Sequence, residues 1–150
     1  MVCSNCGESG HNKASCPDLC IEIEEDSKYV KLLRPSIEQI FEDLGYGHTE
    51  SIYHSAMKIV LQDLRLMFET EVSIPIIFRD RQIGFERADL IVNKQLVIEL
   101  KSINFSKNCI EDSIEQCKRY MRESGISNGL VIIFPKRANV DLQILPINFK

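Results

Sequence analysis

Hydrophobic and polar positions along the chain fall into segments of two different periods. Between residues 49 and 68, Ile52, Ala56, Ile59, Val60, Leu64 and Met67 recur every three or four positions, which predicts a helix with a broad apolar face. Ahead of it, Ser36 and Gln39 form a capping box that would start a shorter helix ending near Gly45 or Gly47. After residue 70 the period changes. Segments 71–78, 83–92 and 96–102 are rich in Ile, Val and Phe and are broken at 79–82 and 93–95, the pattern of three strands joined by short turns. A helix over 109–124 then repeats Ile110, Ile114, Cys117 and Met121 on one side. Gly125 to Gly129 ends it, 130–134 is a continuous apolar run suited to a buried strand, and 140–145 reads as a last strand. The order α-α-β-β-β-α-β-β predicts an α+β (mixed α/β) domain with helices packed on one twisted sheet.

Composition narrows the class. The chain has 150 residues, 44% of them hydrophobic and 27% charged, enough for one domain with its own core and at most a small stapled module. No apolar run approaches the length of a membrane helix. The first residues lack both the basic start and the apolar stretch of a secretory signal, so the expectation is an intracellular protein, cytoplasmic or nuclear. In such a compartment the 6 cysteines read as metal ligands or small core residues, not as disulfides. The net charge of -4 is unevenly spread. Residues 1–26 hold a single basic residue, Lys13, among six acids, while the rest of the chain is close to balanced. A broad cationic surface for duplex nucleic acid is therefore not expected, and any nucleic-acid site must be local.

Cys3, Cys6, His11 and Cys16 have the spacing C-x2-C-x4-H-x4-C, a donor set suited to one tetrahedral Zn2+. So short a segment cannot bury a core, so the metal would have to drive its folding. Gly7 and Gly10 give the chain the backbone freedom to wrap one ion. The pattern resembles the CCHC zinc knuckle, which implies a knuckle over 1–20, an acidic linker over 21–29 and a separate domain over 30–150. Knuckles commonly bind single-stranded nucleic acid. Here Ser4 stands where many carry an aromatic residue, so docking to a protein partner is an equal expectation. Cys20 falls outside the pattern.

Residues 89–101 carry the second set of candidates. Strand side chains alternate, so Glu99 and Lys101 share one face while Ile98 and Leu100 point to the other. A three-residue turn at 93–95 would pair Val92 with Leu96 and set Asp89 opposite Glu99; a two-residue turn would put the two acids on opposite faces. Facing carboxylates are costly unless a cation lies between them, and Mg2+ or Mn2+ suits such oxygen donors. The residues alone also allow an ordinary surface ion cluster.

Asp89 followed by Glu99-Leu100-Lys101 resembles the D…(E)xK signature of the PD-(D/E)XK nuclease superfamily, whose αβββαβ core lays helices on a central mixed sheet. Gly47, Glu50 and Tyr53 match the motif of the GxxExxY family, a branch of that superfamily; Arg87-Ala88-Asp89-Leu90 and Gly129-Leu130-Val131-Ile132-Ile133-Phe134 extend the likeness over roughly 30–147. Gln116 and Tyr120 match its QxxxY element. The resemblance implies a metal-dependent hydrolase of DNA or RNA, with Asp89 and Glu99 as Mg2+ or Mn2+ ligands and Lys101 as the catalytic lysine. Glu50 would be an added acid, and Gln116 and Tyr120 would position substrate. Ala88 replaces the superfamily's proline before the first acid. A nuclease fold without catalysis, serving as a nucleic-acid-binding or docking module, is the alternative.

Overall fold

The computed structural model describes residues 28–104 and 106–149. Its elements are α1 (Lys28–Leu44), α2 (Glu50–Asp63), β1 (Phe68–Phe78), β2 (Arg81–Val92), β3 (Leu96–Ile103), α3 (Lys107–Ser124), β4 (Asn128–Pro135) and β5 (Gln143–Asn148). One mixed five-stranded sheet runs in the order β1-β2-β3-β4-β5. Among the described residues only β3 and β4 pair in parallel, and α3 is the crossover between them. The element order and mixed architecture are those the periodicity predicts. Among the described residues no helix is long and apolar enough to cross a membrane.

Two apolar layers hold the sheet. On one side, Tyr29, Val30, Leu33, Ile37 and Ile40 of α1 and Tyr53, Met57 and Leu61 of α2 pack on Leu90, Val92, Leu96, Ile98, Leu100, Leu130, Ile132 and Phe134. On the other, Ile114, Cys117 and Met121 of α3 cover Val97, Val131 and Ile133. Gly129 lets α3 lie close to β4, since a Cβ there would sit 2.5 Å from Met121 Sδ and 2.9 Å from Cys117 Sγ.

Three local expectations are corrected. The helix expected to start at Ser36 already runs from Lys28, with Pro35 inside it. Proline in a helix interior costs about 3 kcal/mol. Burial of Tyr29, Val30 and Leu33 on the same stripe as Ile37 and Ile40, each contributing about 1.5–3 kcal/mol, outweighs that cost. The expected face of α2 is rotated: Tyr53, Met57 and Leu61 form its buried centre, Ala56, Val60 and Leu64 flank it, and Ile52 and Ile59 are exposed. The cause lies far away in sequence, because the Tyr53 ring stacks on Phe134 with centroids 3.9 Å apart. Finally, α2 ends at Asp63, not near residue 68, and Arg65 takes a left-handed φ of 55° that turns the chain into β1.

Candidate active site

The turn at 93–95 decides the geometry. Asn93 and Lys94 both adopt positive φ, and the ladder reads Val92↔Leu96, Ile91↔Val97, Leu90↔Ile98, the register that puts Asp89 level with Glu99. There the two strands part. The Asp89 side chain fills the opening, its Oδ2 accepting the Leu100 N–H at 2.8 Å. The neighbouring strand is disturbed at the same level: pairing of β1 with β2 skips from Thr70↔Leu90 to Val72↔Ala88, and Glu71 between them has a φ of 49°. A non-glycine residue held there is strained, a feature that clusters at functional sites.

Beyond the split, β3 carries Glu99 and Lys101 on the α3 side. Glu99 is 1% exposed. Its Oε1 lies 3.0 Å from Lys101 Nζ, while its buried Oε2 has no hydrogen-bond partner. Burial, with Asp89 adding repulsion and Lys101 opposing, pushes the Glu99 carboxyl up to about 7. Burial also raises Asp89, against the Leu100 N–H and Lys101. For Lys101, burial pulls the ammonium down, but Glu99, Glu50 and Asp89 more than reverse this and hold it above its ordinary value. Lys101 is thus a protonated donor at neutral pH.

Glu50 reaches the cluster from the first turn of α2. Burial raises its carboxyl, Lys101 opposes, and Asp89 adds to the rise. The loop before it is anchored at several points. Gly47, at a φ of 91° that favours glycine, donates its N–H to the Pro135 carbonyl at 3.0 Å. Ser102 Oγ donates to the His48 carbonyl, and the Tyr53 hydroxyl donates to the Gly45 carbonyl at 2.6 Å. Gly47, Glu50 and Tyr53 therefore do different work at one place: a turn, an acid and a clamp on the turn.

Gln116 and Tyr120 are neighbours on α3, with Gln116 Nε2 donating to the Tyr120 hydroxyl at 2.6 Å. Burial raises the Tyr120 phenol, Gln116 opposes, and Glu99 adds to the rise, which sets this pair on the Glu99 side of the sheet. Cys117 lies beneath them, its thiol pushed up to about 12 by burial and then by Glu99. His54 also approaches the site: its Nε2 is 3.2 Å from the Asp89 carbonyl oxygen. Its position four residues after Glu50, on the same helix face, was the available signal. Cys3, Cys6, His11 and Cys16 lie outside the described residues.

These groups fit a divalent cation in donor chemistry: hard carboxylate oxygens, that of Glu99 buried and that of Asp89 half-buried, short of positive charge, with one oxygen unpartnered. Among the described residues no group of three or more His, Cys, Asp and Glu side chains is placed to hold a metal ion by itself. Asp89 and Glu99 would have to share coordination with water and substrate oxygens, as is usual where metals engage phosphates.

The mixed sheet thus splits between two strands, with an acid on one arm and an acid and a lysine on the other. The family model described as the PD-(D/E)XK nuclease superfamily matches residues 27–144, and the chain belongs to that superfamily. A solved structure titled "Crystal structure of SSO0001" is similar at a TM-score of 0.51 and 22% identity, covering 83% of this chain. That likeness shows the shared fold, and the present chain spans 59% of the other's length. No curated protein matches the chain significantly.

Proposed function

We propose that the chain is a metal-dependent nuclease hydrolysing phosphodiester bonds in DNA or RNA, of the GxxExxY branch. The observation that carries this reading is Glu99: buried, one oxygen paired to Lys101 and the other without a partner, beside the half-buried Asp89. A surface ion cluster would have no reason to bury the Glu99 carboxylate, since an isolated buried carboxylate is strongly penalised.

Asp89 and Glu99 would hold Mg2+ or Mn2+, which when bound polarises a phosphoryl oxygen and eases loss of the leaving oxygen. Lys101, kept protonated by the acids around it, donates toward the non-bridging oxygens as negative charge builds on them; its raised pKa makes it a poor base. Glu50 is suited to accept a proton from, or orient, the attacking water, because desolvation raises its carboxyl above the ordinary glutamate value and makes it a stronger base. Gln116 and Tyr120, already hydrogen-bonded to each other, form a polar edge on α3 that would position the strand. Residues 1–20 would be a zinc knuckle with Zn2+ on Cys3, Cys6, His11 and Cys16, joined by the acidic 21–29 to the nuclease domain at 30–150. Its role would be to guide nucleic acid or to dock a protein partner.

The test is a panel of end-labelled single- and double-stranded DNA and RNA with Mg2+ or Mn2+, comparing wild type with Glu99→Ala/Lys101→Ala. Cleavage by wild type alone supports the reading and names the substrate. A folded, zinc-loaded protein that cuts nothing would instead favour a binding or docking module.

A further inference from the structure

The hairpin of β1 and β2 extends past the point where β2 leaves β3, and its two faces are unlike. Val72, Ile74 and Ala88 face α3, where Arg119 Nε also pairs with Glu86 at 2.8 Å. The alternate positions Ser73, Pro75, Ile77, Phe85 and Arg87 are all exposed, and no helix covers them. The two faces exchange sides at the kink formed by Glu71 and Asp89: Leu90 belongs to the core under α1 and α2, whereas Ala88 belongs to the core under α3. The bare face therefore lies on the α2 side of the sheet, and it begins beside Asp89, where His54 of α2 makes its contact.

What this face displays is specific. Phe85 is 55% exposed and Ile77 53% exposed, a large apolar area for water to meet. The Arg87 guanidinium lies over the Phe85 ring, 5.7 Å from its centroid. At the tip, Arg79 lies 5.2 Å over Phe78. The segment from Ser73 to Arg87 carries Arg79, Arg81 and Arg87 against Asp80 and Glu86, and Glu86 faces away in its pair with Arg119. In a chain of net charge -4, this is a local concentration of cation and exposed ring. Arginine above an aromatic face is complementary to a phosphate next to an unpaired base. A duplex, whose bases are stacked inside, would reward the cations but leave the ring without a partner.

We propose that the bare face of this hairpin is the track along which a single nucleic-acid strand enters the Asp89–Glu99–Lys101 cleft, Phe85 stacking on an unpaired base and Arg87 pairing with its phosphate. This rests on the nuclease reading and gives it a strand preference. At about 3.3 Å per residue, Arg87 and Phe85 lie roughly 7 and 13 Å along β2 from Asp89, within reach of a strand held in the cleft.

The test is fluorescence anisotropy of the full chain with a labelled oligothymidine and with a duplex of equal length, without added divalent metal and across a salt series. Tighter binding of the single strand is expected. Phe85→Ala should weaken it about tenfold with little change in salt dependence, and Phe85→Tyr should restore it. Arg87→Gln should reduce the slope of log K against log salt by about 0.7, the amount for one phosphate on a single strand. Binding by both variants equal to wild type would overturn the proposal, as would preference for the duplex. So would a wild-type dimer that Phe85→Ala disperses with nucleic-acid binding unchanged, because the face would then belong to a second copy. Metal-dependent cleavage by wild type alongside unchanged binding by the variants removes the track and leaves the nuclease; a wild type that neither binds nor cleaves removes both.

Discussion

The Asp89 carboxylate accepts the Leu100 N–H at 2.8 Å, so the first candidate acid is also the group that closes the ladder where β2 and β3 part. Two jobs on one side chain can be separated. Asp89→Asn keeps an oxygen acceptor for that N–H and should change stability by less than about 1 kcal/mol while abolishing metal-dependent cleavage. Asp89→Ala should abolish cleavage and in addition cost about 1–3 kcal/mol, because the amide is left without its partner. Urea midpoints of both variants, read beside their cleavage rates, check the division.

Glu99 gives a pH prediction whose sign follows from its environment. Burial raises its carboxyl from 4.5 to about 7, so between those values the folded chain binds a proton that the unfolded chain has released. Stability contributed by this group is therefore lost as pH rises through that window. Raised Asp89 and Glu50 act in the same direction. Unfolding free energies measured from pH 4.5 to 8 without divalent metal should move in favour of Glu99→Gln relative to wild type, by an amount on the order of 3 kcal/mol. Saturating Mn2+ should raise the Tm of wild type more than that of the variant.

Lys101 supplies a donor, so its charge and reach matter more than its basicity. Lys101→Ala should lower the cleavage rate at least about 100-fold, the scale of losing one donor to transition-state charge. The rate of Lys101→Ala should not recover at high pH, because no lysine deprotonation limits the wild type. A pH–rate profile that rises with an apparent pKa near that of a lysine would contradict this role.

Tyr53 should affect the site at a distance. Its hydroxyl holds the Gly45 carbonyl at 2.6 Å, in the loop that delivers Glu50. Tyr53→Phe retains the stack on Phe134 and should cost about 0.5–1.5 kcal/mol in a denaturant melt. Cleavage should fall less than in Glu50→Gln, since the acid remains present and only its positioning loosens.

Much of this arrangement was legible because it depends on local periods. The register of β2 and β3 followed from the length of one turn and the alternation of strand side chains, and the stripe Ile114, Cys117, Met121 followed from helical spacing. Where sequence reasoning failed, a distant contact had decided the outcome. Phe134, far along the chain, selected Tyr53 as the centre of the α2 face, and the buried stripe of α1 carried the helix through Pro35. The site shows the same division. The hairpin could set Asp89 level with Glu99 and Lys101 only if its turn held three residues, the register the ladder has, whereas the contact of His54 with Asp89 and the exposure of Phe85 arise from how α2 and α3 cover the sheet.

The most direct measurement is single-turnover cleavage of an end-labelled single strand in Mn2+ by wild type, Glu99→Gln and Lys101→Ala, each with its fold verified. The account predicts cleavage by wild type that stops when the metal is chelated, with both variants slower by at least about 100-fold. Equal cleavage by all three proteins would contradict it, since the hydrolysis would then arise outside the cluster at the split.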